Sequence, residues 1–207
     1  MARSKELEGR HIEYLRGHIG SFINTHPHPA LEKGATFLGE SFEIWSLRVN
    51  GVISDRTSNP DLSRYLFSTG NWHHQILQNG VAVAYAVSGP SASFGGGWSL
   101  RGLFASDLAK KVTRAIVKID RERSQDDIEA YYVVVPSHKL VCFFLRSYSF
   151  DEVFVVSSTH VAPGPKEGEF YTPREFIKSL SLLTHVRGLV LKSAEPETSK
   201  GKRRRKS

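Results

Sequence analysis

Trp72-His73-His74-Gln75-Ile76-Leu77, Gln78-Asn79-Gly80 and Val81-Ala82-Val83-Ala84-Tyr85-Ala86-Val87 follow one another without a break. Two runs rich in strand formers flank an Asn-Gly pair, and Asn-Gly accepts the positive φ angles of a tight hairpin turn. The pairing here is therefore antiparallel. In the second run Val81, Val83, Tyr85 and Val87 share one face, while Ala82, Ala84 and Ala86 share the other. A face made only of alanine predicts that a bulky element, a helix, approaches closely.

Upstream of the hairpin, Phe42 to Val49 alternates as a strand that Asn50-Gly51 is expected to end. Asp61 to Phe67 follows Asn59-Pro60 and reads as one or two helical turns. Residues 4–23 form an amphipathic helix in which Ile12, Leu15, Ile19, Phe22 and Ile23 recur at spacings of three and four. Ser4 is its expected N-cap, and the segment from Thr25 to Pro29 stops it with two prolines.

Downstream, residues 88–98 read as a flexible loop. A second helix, capped by Ser106 or begun a turn earlier at Ser99, runs to about Arg123 with Leu108, Val112, Ala115, Ile116 and Ile119 as its buried stripe. Three closely spaced strands follow: Ala130–Val135, Lys139–Leu145 and Glu152–Val156. The first two are apolar on both faces, which calls for cover on both sides of a sheet, or on one side plus a partner. The last helix opens with Thr172-Pro173-Arg174-Glu175, a capping box with proline at the first helical position. Phe176, Ile177, Leu180 and Leu183 form its stripe, and Gly188 is expected to stop it.

Consecutive strands joined by short loops predict an α+β fold: a mainly antiparallel sheet of about five to six strands with helices packed on it. Residues 1–191 make one domain, and residues 192–207 are a disordered basic tail. The element order is loosely similar to that of profilin-like and roadblock- or longin-type domains, which pack helices on a five-stranded sheet. The resemblance lies in element order alone and implies no site residues.

The net charge of +7 is unevenly spread. Lys200, Lys202, Arg203, Arg204, Arg205 and Lys206 lie together with no acid among them. Removing these six from the 28 basic residues leaves 22 against 21 acidic ones, so the remainder is nearly neutral. A solvated run of cations attracts polyphosphate through counterion release and has the composition of a nuclear-import signal. Lys111, Arg114, Lys118 and Arg121, with Lys110 beside them, line one face of the second helix, diluted by Asp107, Asp120 and Glu122. The lone Cys142 excludes an intramolecular disulfide, and no apolar run has the length of a membrane helix. The expected location is cytoplasmic, or nuclear in a eukaryote.

Catalytic motifs are sparse. His73 and His74 are adjacent in a strand and point to opposite faces, so they do not share a metal ion. His26 and His28 lie in a proline-fixed segment, and none of the nine histidines has a cysteine partner at ligand spacing. Cys142 sits in an apolar run and reads as a core residue. Gly95-Gly96-Gly97 lacks the Gly-Lys-Ser/Thr ending of a phosphate loop, although Trp98 beside it is placed to stack a base. No metal or cofactor is expected.

Two readings follow. The first is a non-enzymatic binding protein whose body contacts a protein or ligand, or forms a homo-oligomer. Its tail, with Lys111, Arg114 and Lys118, adds attraction to nucleic acid or another polyanion. The second is a small metal-dependent or His/Asp-based hydrolase or nuclease using His73 or His74 with Asp55 or Asp61.

Overall fold

A computed structural model describes residues 7–25, 31, 36–55, 57, 60–91, 97–124, 127–159 and 164–193. The elements in chain order are α1 (Gly9–Thr25), β1 (Thr36–Leu47), α2 (Val49–Ser54), a 3₁₀ turn (Leu62–Tyr65), β2 (Leu66–Gln78), β3 (Val81–Pro90) and β4 (Trp98–Phe104). Then come α3 (Asp107–Glu122), β5 (Glu129–Val135), a 3₁₀ turn (Pro136–His138), β6 (Leu140–Arg146), β7 (Asp151–Ser158), β8 (Phe170–Tyr171) and α4 (Pro173–Ser193). The chain is α+β, and its one sheet has eight strands in the order β4-β3-β2-β1-β5-β6-β7-β8.

The sheet consists of two antiparallel meanders, β1–β4 and β5–β8. They meet at one short parallel seam, where Ile44 pairs with Tyr132 and Trp45 with Val133. The hairpin forms as the sequence predicts. Asn79 and Gly80 take φ of 50° and 76°, the positive angles of such a turn.

Both faces of the sheet are covered. On one, α3 packs Val112, Ala115 and Ile119 on Phe42, Tyr132, Phe143 and Phe154. On the other, Phe176, Ile177 and Leu180 of α4 and Val52 of α2 cover Val133, Cys142, Phe144 and Val155. Beside them Leu15, Ile19 and Ile23 of α1 cover Ile76, Ala84 and Ala86, so the alanine face does receive a helix. The two-faced strands β5 and β6 are thus enclosed between α3 and α4. Each fully buried Leu or Phe contributes roughly 1.5–3 kcal/mol by leaving water.

Several expectations are corrected. The sheet exceeds five to six strands because β4 and the two-residue β8 escaped the pattern. Ser88, Gly89 and Pro90 extend β3 instead of opening a loop, and Ser99 lies in β4, so Ser106 is the cap of α3. Ser106 Oγ accepts from the backbone N–H of Leu108 at 3.0 Å. Asn50-Gly51 does not end a strand but lies inside α2. Gly51 serves close packing there, since a Cβ would sit 3.0 Å from the ring of Tyr65.

At the N-terminus the described helix begins at Gly9, and Ser4 and residues 26–30 lie outside the described residues. The capping box of α4 forms: Thr172 N–H donates to Glu175 Oε2 at 2.9 Å, and Glu175 N–H donates to Thr172 Oγ1 at 3.3 Å. Gly188 does not stop this helix, which runs to Ser193. A glycine ends a helix only where the backbone turns left-handed, and otherwise costs about 1 kcal/mol within it. Residues 194–207 lie outside the described residues.

Phe143→Ala should lower the free energy of unfolding by about 3–5 kcal/mol, since Phe143 is buried between Phe42 and Tyr132. Tyr148→Ala, at a fully exposed ring, should stay within about 0.5 kcal/mol. Urea denaturation of the two variants checks both values, and equal losses would contradict this placement of the core.

Candidate functional site

The two histidines sit in β2, deep in the sheet, and the alternation of the strand sends their rings to opposite faces. His74 faces α1. Its Nδ1 shares a 2.8 Å hydrogen bond with Ser41 Oγ, and its Nε2 a 2.6 Å bond with Ser88 Oγ. Ser88 Oγ also accepts from Trp98 Nε1 at 3.0 Å, and the indole stacks on His11 of α1 with ring centroids 4.2 Å apart. Trp98 is therefore engaged inside the fold.

His73 faces α3. Its ring stacks on Tyr85 at 4.7 Å and lies 4.9 Å from Tyr132. Its Nδ1 is 3.4 Å from the Tyr132 hydroxyl, a long contact, and its buried Nε2 has no hydrogen-bond partner among the described residues. Desolvation disfavours the imidazolium of both. It lowers the pKa of His73 to about 3, with the neighbouring His74 adding to the shift, and that of His74 to about 4. Both rings are neutral at pH 7.

The two aspartates belong to a different set of contacts. Asp55 follows α2; it accepts from the N–H of Thr57 and from the hydroxyl of Tyr65, each at 2.9 Å, and these bonds, led by the Thr57 amide, lower its pKa. Asp61 caps the 3₁₀ turn by accepting from Ser63 N–H at 3.0 Å and Ser63 Oγ at 2.6 Å. The Ser63 hydroxyl is the main cause of its lowered pKa. Arg146 donates to Asp61 at 3.1 Å and lies 3.4 Å from Asp151. Among the described residues, none is common to the aspartate contacts and the histidine contacts.

Arg146 also lines an open cleft of about 430 Å³ with Asp127, Ile128, Glu129, Ser147 and Tyr148. The cleft contains neither histidine. Burial pushes the Cys142 thiol up to about 12, which suits a small core residue and not a nucleophile. Among the described residues no group of three or more His, Cys, Asp or Glu side chains is arranged to hold a metal ion. His26 and His28 are outside the described residues.

The structure divides the cations of α3. Lys111 Nζ donates to Glu167 at 2.7 Å, and Lys118 Nζ donates to the carbonyl of Gly168 at 2.8 Å while lying 5.6 Å from the rings of Phe154 and Phe170. These two fasten the segment before β8. Arg123 joins them: it grips Glu152 through contacts of 2.9–3.1 Å and lies 4.7 Å from the centre of the Phe170 ring. Sequence reading missed this clamp, for which an arginine just past a helix end was the only signal. Lys110, Arg114 and Arg121 remain exposed at spacings of four and seven, one outward stripe. Lys200, Lys202, Arg203, Arg204, Arg205 and Lys206 lie outside the described residues.

No protein-family model, no curated protein and no solved structure matches the chain.

The buried histidines set a pH dependence. Their folded pKa values lie below the unfolded value of about 6.5, so the unfolded chain binds the protons and stability falls as pH drops. Between about pH 7 and pH 5 each should remove about 2 kcal/mol from the free energy of unfolding. His73→Phe, which also removes the unpartnered Nε2, should cancel its share of that loss. Urea titrations at the two pH values measure this, and an unchanged slope in the variant would refute the assignment.

Proposed function

We propose that the chain is a non-enzymatic binding protein whose folded body contacts a protein or ligand while its cations add attraction to nucleic acid or another polyanion. The observation that carries this reading is the outward stripe of α3. Lys110 and Arg114 are exposed, and among the described residues only Arg121 of the three makes an ion pair, with Glu122 at 3.2 Å. These groups have the reach and solvation of phosphate contacts. The six cations from Lys200 to Lys206 follow α4 in the chain and account for nearly all of the net charge of +7.

The histidines support the same reading. They are spent inside the sheet, neutral and enclosed, where they specify packing. The hydrolase or nuclease alternative would need His73 or His74 to work with Asp55 or Asp61, and no contact among the described residues favours that pairing. No described helix is long and apolar enough to cross a membrane.

The test is binding to nonspecific duplex DNA and RNA across salt concentrations. Each phosphate neutralised contributes about 0.9 to the slope of log affinity against log salt. Deleting residues 199–207 should therefore reduce that slope by up to about 5, and Lys110→Ala with Arg114→Ala and Arg121→Ala by up to about 3. If neither change alters affinity or slope, the polyanion reading fails.

A further inference from the structure

The two edges of the sheet are unequal. β8 is two residues long, whereas β4 offers seven, from Trp98 to Phe104, and no described strand pairs with its outer side. Long open edges are usually blunted by a bulge or a charge, and β4 carries both at Arg101. The register shifts there: Val87 pairs with Gly102 and Ser88 with Leu100, leaving Arg101 as the extra residue. The bulge reverses the parity of the strand. Trp98, Leu100 and Leu103 face α1, while Ser99, Gly102 and Phe104 face the side of α3.

We propose that β4 pairs with β4 of a second copy, antiparallel about a twofold axis, with Leu103 opposite Leu100 of the other copy. Residues directly opposite in an antiparallel pair share a face, and the shifted parity permits few registers that respect this. With Leu103 opposite Leu100, the two leucines meet on the α1 side of both copies. Phe104 then stands opposite Ser99 on the α3 side, and Arg101 opposite Gly102. Each match occurs twice, as an isologous contact requires.

The bulge, an obstacle to most partners, finds its complement in this register. Phe104 is 46% exposed, and its ring lies over Gly102, where a Cβ would sit 2.8 Å from Cζ. The residue opposite Gly102 therefore comes beside that ring, and it is the Arg101 guanidinium of the other copy. Arg101 spends one N–H on the carbonyl of Pro90 at 2.7 Å and is otherwise exposed, so it has donors and a planar face for the ring. The only charge and the only exposed aromatic of the edge become partners. This inference stands apart from the polyanion reading, since none of its residues belongs to the α3 stripe or the tail.

Light scattering of the full chain after gel filtration, at up to roughly 100 µM, should give twice 23.2 kDa. Arg101→Glu should shift the mass to that of the monomer while circular dichroism stays unchanged. Ser99→Cys combined with Phe104→Cys should yield a covalent dimer on mild oxidation, and neither single variant should. A wild-type chain that stays monomeric overturns the proposal, as it would if β4 served a different partner. A dimer indifferent to Arg101→Glu and not captured by the paired cysteines overturns it equally.

Discussion

Everything in the sheet depends on one row of side chains. On the face beneath α3 lie Phe104, Tyr85, His73, Phe42, Tyr132, Phe143, Phe154 and Phe170, one from each strand; most are direct cross-strand partners, while Tyr85 meets His73, and Phe42 meets Tyr132, on the diagonal. Successive rings, where they touch, lie 4.7–6.5 Å apart from Phe104 through Phe143 and again between Phe154 and Phe170. A one-residue slip anywhere would turn a ring to the other face, so the row fixes the register of all eight strands together. It also explains a buried histidine. His73 is the ring of β2 in this series, and an imidazole held neutral packs as a flat aromatic at the cost of an unsatisfied nitrogen.

How much of this could be read from the chain depends on where the information lies. The hairpin at Asn79-Gly80 and the box at Thr172 to Glu175 are local, and each was legible because a few adjacent residues determine the backbone, whereas the start of α3 was open between Ser106 and Ser99 until β4 claimed Ser99. β4 was not, since its Trp98 to Phe104 run contains Arg101 and Gly102 and its alternation breaks at the bulge. β8 has two residues and exists only by pairing with Val153 and Phe154. Gly51 and Gly188 misled because glycine serves both turns and close packing, and only the neighbours distinguish the two uses.

The candidate residues divide in the same way. That His73 and His74 point apart follows from strand geometry and was readable. Their partners, Ser41, Ser88 and Tyr132, come from three other strands and were not. The cations of α3 read as one ridge along the helix, yet Lys111 and Lys118 turn toward Glu167 and Gly168, residues some fifty positions away. Helical spacing locates a side chain around the axis; what it meets there is set by the opposing element.

The parallel seam between β1 and β5 bears on how the molecule comes together. Within each meander paired strands are neighbours in sequence, the widest gap being residues 48–65 with α2 and a 3₁₀ turn, so their pairing closes smaller loops than the seam does. Ile44 and Tyr132 are remote in the chain, with β2, β3, β4 and α3 between them. The seam is thus the step where loop-closure entropy concentrates. It makes the two halves of the sheet the natural cooperative units of assembly, with the burial of Tyr132 against Phe42 as the event that locks one to the other.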